Sequence, residues 1–208
     1  MLRCLKGFSL IDEFYNAGSC GGVASTLGFI ALKFKLCSGI ITLDRTVSPP
    51  VWFVAVSKED LLKSCGSTYE DLKFTSYLCK SGFPVLGMIG RPCDMKIIFS
   101  PRISLFCSHT YRPKGFVISK KYAAKSKSKW KSLFSNPIKC FLCMDHLGSF
   151  ADVNVGDDQG DPKLNNVIVR SKLGLNLIRL GEDNNLLKME KMKCIKIKRK
   201  QKHLWKWK

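Results

Sequence analysis

A chain of 208 residues with 45% hydrophobic content is long enough to bury one substantial core, and its net charge of +19 is unevenly spread. Residues 112–139 and 188–208 hold nearly all of that charge and the remainder is close to neutral, so basicity belongs to a loop and a tail and not to the fold. Such stretches are most simply solvated faces or frayed ends; their functional readings are an anionic partner surface, a nucleic-acid backbone or a ligand rich in phosphate or carboxylate. No secretory leader or membrane span is legible: the opening MLRCLKGFSLIDEF is interrupted by Lys6, Asp12 and Glu13, and the longest apolar stretch, Val23 to Leu32, is too short to cross a bilayer. The expectation is a cytoplasmic chain whose ten cysteines are metal ligands or small core residues, not structural disulfides.

In chain order, a short lead ends at Gly18-Ser19-Cys20-Gly21-Gly22, after which Val23, Leu27, Ile30, Ala31 and Phe34 fall on one face of a helix. Small residues opening a helix either admit an anion to its backbone amides or serve tight packing, and the pattern alone does not choose. Ser38 to Leu43 and Val51 to Val56 are short β-branched runs around the turn Thr46-Val47-Ser48-Pro49-Pro50. Ser57-Lys58-Glu59-Asp60 has the form of a helix cap, with the serine hydroxyl set to accept from the Asp60 amide, and that helix should stop at Gly66. The turn Gly66-Ser67-Thr68-Tyr69 suits a phosphate or a plain change of direction.

Phe83 to Ile89 reads as a buried strand running into Gly90-Arg91-Pro92-Cys93, and Ile103 to Phe106 repeats the arrangement with Cys107 at its exit. Strands alternating with helices predict an α/β fold, with α+β as the variant, built on a largely parallel sheet flanked by helices. Ligands of such sheets sit at the carboxyl ends of the strands, which would put both cysteines on the working edge.

Lys139 to Arg170 organises the rest. A two-cysteine clip, Cys140-x-x-Cys143, precedes Asp145; Ala151-Asp152-Val153 leads to the turn Gly156-Asp157-Asp158-Gln159-Gly160 and the run Val167-Ile168-Val169. Two thiols two residues apart grip a soft metal or form a redox disulfide, and on spacing alone a four-cysteine zinc site is as acceptable as an iron–sulfur cluster.

These segments, in this order, resemble the beta subunits of coenzyme F420-reducing hydrogenases and F420-dependent dehydrogenases across roughly Gly18 to Ile178. The resemblance lies in Gly21-Gly22-Val23 opening a helix and in the acidic helix and turn from Lys58 to Tyr69. It continues through Gly90-Arg91-Pro92-Cys93, Leu105-Phe106-Cys107 and the Cys140/Cys143/Asp145 clip. The continuation Ala151-Asp152-Val153-Asn154-Val155-Gly156 is its most specific part. What the resemblance implies is a flavin and iron–sulfur domain over 1–187, abbreviated around 94–139, followed by a basic tail at 188–208. It implies FAD, a 4Fe-4S cluster held by Cys93, Cys107, Cys140 and Cys143, and coenzyme F420 as the hydride substrate. Flavin contacts carried over are Gly21, Gly22, Ser25, Ser67, Thr68, Asp152 and Gly156, and no catalytic acid–base pair is required. Partners would be hydrogenase, formate dehydrogenase or other reductase subunits, with peripheral membrane association at most.

This chain departs from the pattern in three places. It has no N-terminal ferredoxin-like cysteine run, only 13 residues separate Cys93 from Cys107, and Thr68 stands where lysine is common. Cys4, Cys20, Cys37, Cys65, Cys79 and Cys194 are expected to be packing or incidental thiols, and His109, His146 and His203 are given no role. The rival of another class is a non-enzymatic four-cysteine metal-binding protein whose basic appendages contact nucleic acid.

Overall fold

The computed structural model describes residues 3–66, 86–90, 117–120, 151–158 and 160–193. The expected strand at Ile103 to Phe106, the basic stretch at 112–139 apart from 117–120, and the tail beyond residue 193 lie outside the described residues. The described elements are β1 (Arg3–Ser9), α1 (Asp12–Ala17), α2 (Val23–Lys33), β2 (Gly39–Asp44), β3 (Val51–Ala55), α3 (Lys58–Lys63) and β4 (Leu86–Gly90). They continue with β5 (Val117–Lys120), β6 (Val153–Asp157), β7 (Asn165–Val169), α4 (Lys172–Asp183) and β8 (Leu187–Lys191).

The strands form one eight-stranded sheet in the order β3-β2-β4-β5-β6-β7-β1-β8. Only β2–β4, β4–β5 and β5–β6 pair in parallel. The β2–β3, β6–β7, β1–β7 and β1–β8 pairs are antiparallel. The α/β class holds, but the largely parallel sheet expected from the sequence does not: antiparallel pairing predominates. Connection length supplies the physical reason. The β2–β3 and β6–β7 links are shorter than the dozen or so residues a parallel crossover needs, so each pair must fold as a hairpin. The N-terminal lead, read as a mere approach to the glycine loop, is itself the strand β1, inserted between β7 and β8. β8 likewise crosses the position at which the sequence places the start of the basic tail.

All four described helices contribute to one core on one face of the sheet. Phe14 of α1, Val23, Leu27 and Ile30 of α2, Leu61 of α3 and Leu177 and Ile178 of α4 pack with Leu5, Ile40, Ile89, Val153, Val155, Val167 and Val169. Helix α2 is central, because α1, α3, α4 and the sheet surround it and most of its residues are buried, well beyond the single stripe its periodicity suggests. It lies close to the strands only because Gly28 lacks a side chain: a Cβ there would come within 2.9 Å of Ile89 Cδ1 and 3.0 Å of Ile40 Cδ1. The opposite face is buried as well, at Ile41, Leu43, Trp52, Met88, Asn154 and Ile168, although no described helix lies there. No helix among the described residues is long and apolar enough to cross a membrane.

Local rules read from the sequence are visible in α3. Ser57 Oγ accepts from the Asp60 amide at 3.1 Å, and the Asp60 carboxylate in turn accepts from Lys63 at 2.9 Å. The Lys63 ammonium holds the Asp60 carboxyl below its ordinary range, the main cause being that hydrogen bond. The helix ends at Lys63, a few residues before the glycine expected to stop it.

Two substitutions test this architecture by denaturant unfolding. Leu27→Ala, at a position with no exposed surface, should cost about 3 kcal/mol through lost burial and the cavity left behind. Ser57→Ala should cost about 1 kcal/mol through loss of the cap.

Candidate functional site

Five strands, β1, β2, β4, β5 and β6, run in one direction, so their carboxyl ends, Ser9, Asp44, Gly90, Lys120 and Asp157, share one edge of the sheet. Two further features of the sequence reach the same edge. The glycine loop before α2 is fixed to the end of β1, where the Ser9 amide donates to the Gly21 carbonyl at 2.6 Å. The chain after α3 is fixed to the end of β2, where the Arg45 amide donates to the Lys63 carbonyl at 3.0 Å.

Gly21 and Gly22 both adopt left-handed conformations, with φ of 44° and 68°. A Cβ at Gly22 would collide with the Phe14 carbonyl oxygen, so the turn from α1 into α2 excludes any larger residue for two independent reasons. Gly22 caps α2 without any side-chain hydrogen bond of its own. The first amide of α2 is instead satisfied across the fold: Asn165, at the start of β7, accepts from Val23 N–H through Oδ1 at 3.2 Å. The same amide group donates through Nδ2 to the Gly156 carbonyl at 3.3 Å. Thr26 completes the seat, its hydroxyl donating to Ser9 Oγ at 2.7 Å and lying 3.0 Å from the Gly22 carbonyl.

Ser25 continues the connection toward α3, its hydroxyl 3.3 Å from the Cys65 thiol, while that thiol lies 3.5 Å from the Leu61 carbonyl. Arg45 then donates through Nη1 to the carbonyls of both Ser64 and Gly66. Gly66 itself has φ of 98°, a left-handed value that releases the chain from the helix end. At the far side of the edge, the Asp158 carboxylate pairs with Lys6 at 3.2 Å and its own side chain is almost fully buried.

Of the flavin contacts expected from the sequence, Gly21, Gly22, Ser25 and Gly156 are therefore brought together, with Asn165 as the joint. Asp152 is not with them. It precedes β6, about 16 Å from Asp157 along extended backbone, and its carbonyl accepts the Arg170 amide at 2.8 Å beside the start of α4. Ser67 and Thr68 lie outside the described residues, immediately after Gly66. Cys93, Cys107, Cys140 and Cys143 lie outside them too, although Cys93 follows the end of β4 by three residues. Among the described residues no group of three or more histidine, cysteine or acidic side chains is gathered as a metal site.

The remaining thiols divide. Cys37 is buried, and loss of solvent pushes its thiol up, partly offset by hydrogen bonds from the Gly87 and Gly39 backbone, so it stays a protonated packing group. Cys4 is disulfide-bonded, which corrects its reading as an incidental thiol. Cys65 belongs to the site through Ser25, a role its isolated position in the sequence does not signal. Asn165 and Arg45 were also missed. The signal for Asn165 was present, because two asparagines opening an otherwise β-branched strand run against β-propensity and call for a partner.

Two family models match this chain. The N-terminal model of the coenzyme F420 hydrogenase/dehydrogenase beta subunit matches residues 4–78, and the C-terminal model of the same subunit matches residues 114–194. The chain belongs to the coenzyme F420 hydrogenase/dehydrogenase beta-subunit family. Its relatives include an uncharacterised protein of Methanocaldococcus jannaschii, 23% identical over 85% of this chain and 83% of the relative. A second uncharacterised protein of the same organism is 24% identical over 78% of this chain and 58% of its own length. The coenzyme F420 hydrogenase subunit beta of Methanosarcina barkeri is 21% identical over 83% of this chain and 76% of that subunit. The fold resembles a chain of the F420-reducing NiFe hydrogenase complex from Methanosarcina barkeri, with a TM-score of 0.76, 19% identity, and coverage of 91% of this chain and 81% of that one. Membership supports an electron-transfer oxidoreductase subunit.

The joint predicts a stability effect that the glycine loop alone would not. Asn165→Leu strands a buried helix amide and a strand carbonyl, and should lower unfolding free energy by about 3 kcal/mol, as read by chemical denaturation.

Proposed function

We propose that this beta-subunit family member is an iron–sulfur flavoprotein that passes electrons between coenzyme F420 and a partner hydrogenase, with FAD and a 4Fe-4S cluster as its own groups. The observation that carries the reading is the meeting of Gly21, Gly22, Ser25 and Gly156 at the one sheet edge to which the segments leading to Ser67 and Cys93 also run. When bound, FAD would supply the exchange of a two-electron hydride for single electrons, the conversion needed between a deazaflavin and an iron–sulfur cluster.

The residues present fit such a group. The first turn of α2 opens without a side-chain cap, and Asn165 takes only the Val23 amide. The amides of Ala24 and Ser25 follow in the same turn, beyond the reach of intrahelical carbonyls and at the positive end of the helix, where a pyrophosphate is favoured. Gly21 and Gly22 bring backbone to the surface of that turn with no side chain in between. Arg45 holds the Ser64 and Gly66 carbonyls against the end of β2. Ser67 and Thr68, which follow Gly66 in the sequence, join this set on the family resemblance. Asp152 joins this set on the family resemblance alone.

For the cluster, the donor set is Cys93, Cys107, Cys140 and Cys143, four thiolates suited to iron and sulfide. Support for iron over zinc comes from the family and not from the spacing. A hydrogenase is the favoured partner because the named relative and the structural neighbour belong to one. Formate dehydrogenase or another reductase remains a second form of the same reading.

Anaerobic purification tests the proposal. The expected product is a brown-yellow protein with stoichiometric FAD, iron near four per chain with matching labile sulfide, and dye reduction dependent on F420. Colourless protein containing zinc and no flavin would overturn it.

A further inference from the structure

Asn166 follows Asn165 on β7 and so projects from the opposite face of the sheet. Its cross-strand neighbours are Lys6 on β1 and Gly156 on β6, and the glycine contributes no side chain beside it. The amide is over nine-tenths buried. Its Nδ2 donates to the Asp157 carbonyl at 3.3 Å and lies 3.4 Å from Asp158 Oδ1. The other oxygen of Asp158 takes the Lys6 ammonium at 3.2 Å. Asn166 Oδ1, on the other arm of the amide, is buried and has no hydrogen-bond partner. An orphan acceptor in so ordered a cluster calls for an occupant, since buried polar atoms are almost always paired.

We infer that Asn166 Oδ1 and the Lys6 ammonium recognise a cyclic imide edge, an N–H flanked by carbonyls. Asn166 accepts from the ring N–H while Lys6, aligned by Asp158, donates to an adjacent carbonyl. A phosphate offers acceptors alone and would leave the Asn166 oxygen facing oxygen. An amine or guanidinium would satisfy that oxygen but meet the Lys6 charge. The imide edge is common to the isoalloxazine of FAD and to a deazaflavin, so this inference rests on the flavoprotein reading and deepens it, placing the ring end of one of these ligands on the face opposite the glycine loop.

The test uses anaerobically purified full-length chain and separate fluorescence titrations with FAD and with the deazaflavin. Asn166→Leu should weaken about tenfold the ligand that presents this edge and leave the other unchanged, with a somewhat lower thermal midpoint because the Asp157 carbonyl and Asp158 Oδ1 lose their Nδ2 donor. Lys6→Met, a partly exposed position, should weaken the same ligand by a smaller factor. The N3-methyl analogue of that ligand should bind wild-type protein weakly and should lose nothing further in Asn166→Leu, a pattern that a purely structural asparagine does not produce. Unchanged affinity for both ligands in Asn166→Leu and Lys6→Met overturns the inference while the flavoprotein reading stands. Wild-type protein that binds neither ligand overturns both.

Discussion

The candidate site depends on one buried amide. Asn165 closes a hydrogen-bonded link between the first turn of α2 and the β6 strand, two segments far apart in sequence. Helix α2 has no capping side chain of its own, since a glycine occupies the cap. A serine or aspartate there would satisfy the same amide locally, but it would need a Cβ in a left-handed residue already touching the Phe14 carbonyl. The fold thus trades a local cap for a distant one. The consequence is that the glycine loop and the β6–β7 hairpin form one rigid unit, and the first-turn amides keep a fixed relation to the carboxyl end of the sheet.

What the sequence made legible follows from the range of the interactions concerned. The Ser57 cap, the start of α2 and the strands β2 and β3 are specified by residues within a few positions of one another, and each occurs close to where the pattern puts it. β1 was not legible, because Lys6 and Gly7 interrupt its apolar run and its strand identity comes from partners at the other end of the chain, β7 and β8. That insertion, together with the β2–β3 and β6–β7 hairpins, turned the expected parallel sheet into a mixed one. Helix–strand alternation is a sound guide to the middle of the sheet, where β2, β4, β5 and β6 run together, but it carries no information about a terminal strand that returns to pair between later ones.

The site divides along the same line. Glycines announced themselves, because their conformational requirement is local. Arg45 and Cys65 did not, since an arginine after a strand and a cysteine after a helix acquire meaning only when the end of α3 is brought against the end of β2. Asp152 shows the converse. Its motif also holds Gly156, but most of strand β6 lies between the two residues, so the motif spans the sheet from one edge to the other and only its Gly156 end meets the glycine loop through Asn165.

The two consecutive asparagines of β7 sharpen this point. Both are buried and both touch β6, yet strand alternation sends them to opposite faces, so one residue type meets two different fates. On the helical face the protein supplies a donor and an acceptor, and the Asn165 amide is complete. On the other face it supplies acceptors for the Nδ2 group only, while Lys6 pairs with Asp158 and the Asn166 oxygen receives no donor. The Nδ2 bonds to the Asp157 carbonyl and Asp158 Oδ1 explain one arm of the Asn166 amide, but they leave its buried oxygen without a partner. An incomplete amide held in place by a buried carboxylate is better understood as half of a hydrogen-bond pair whose other half arrives with a ligand.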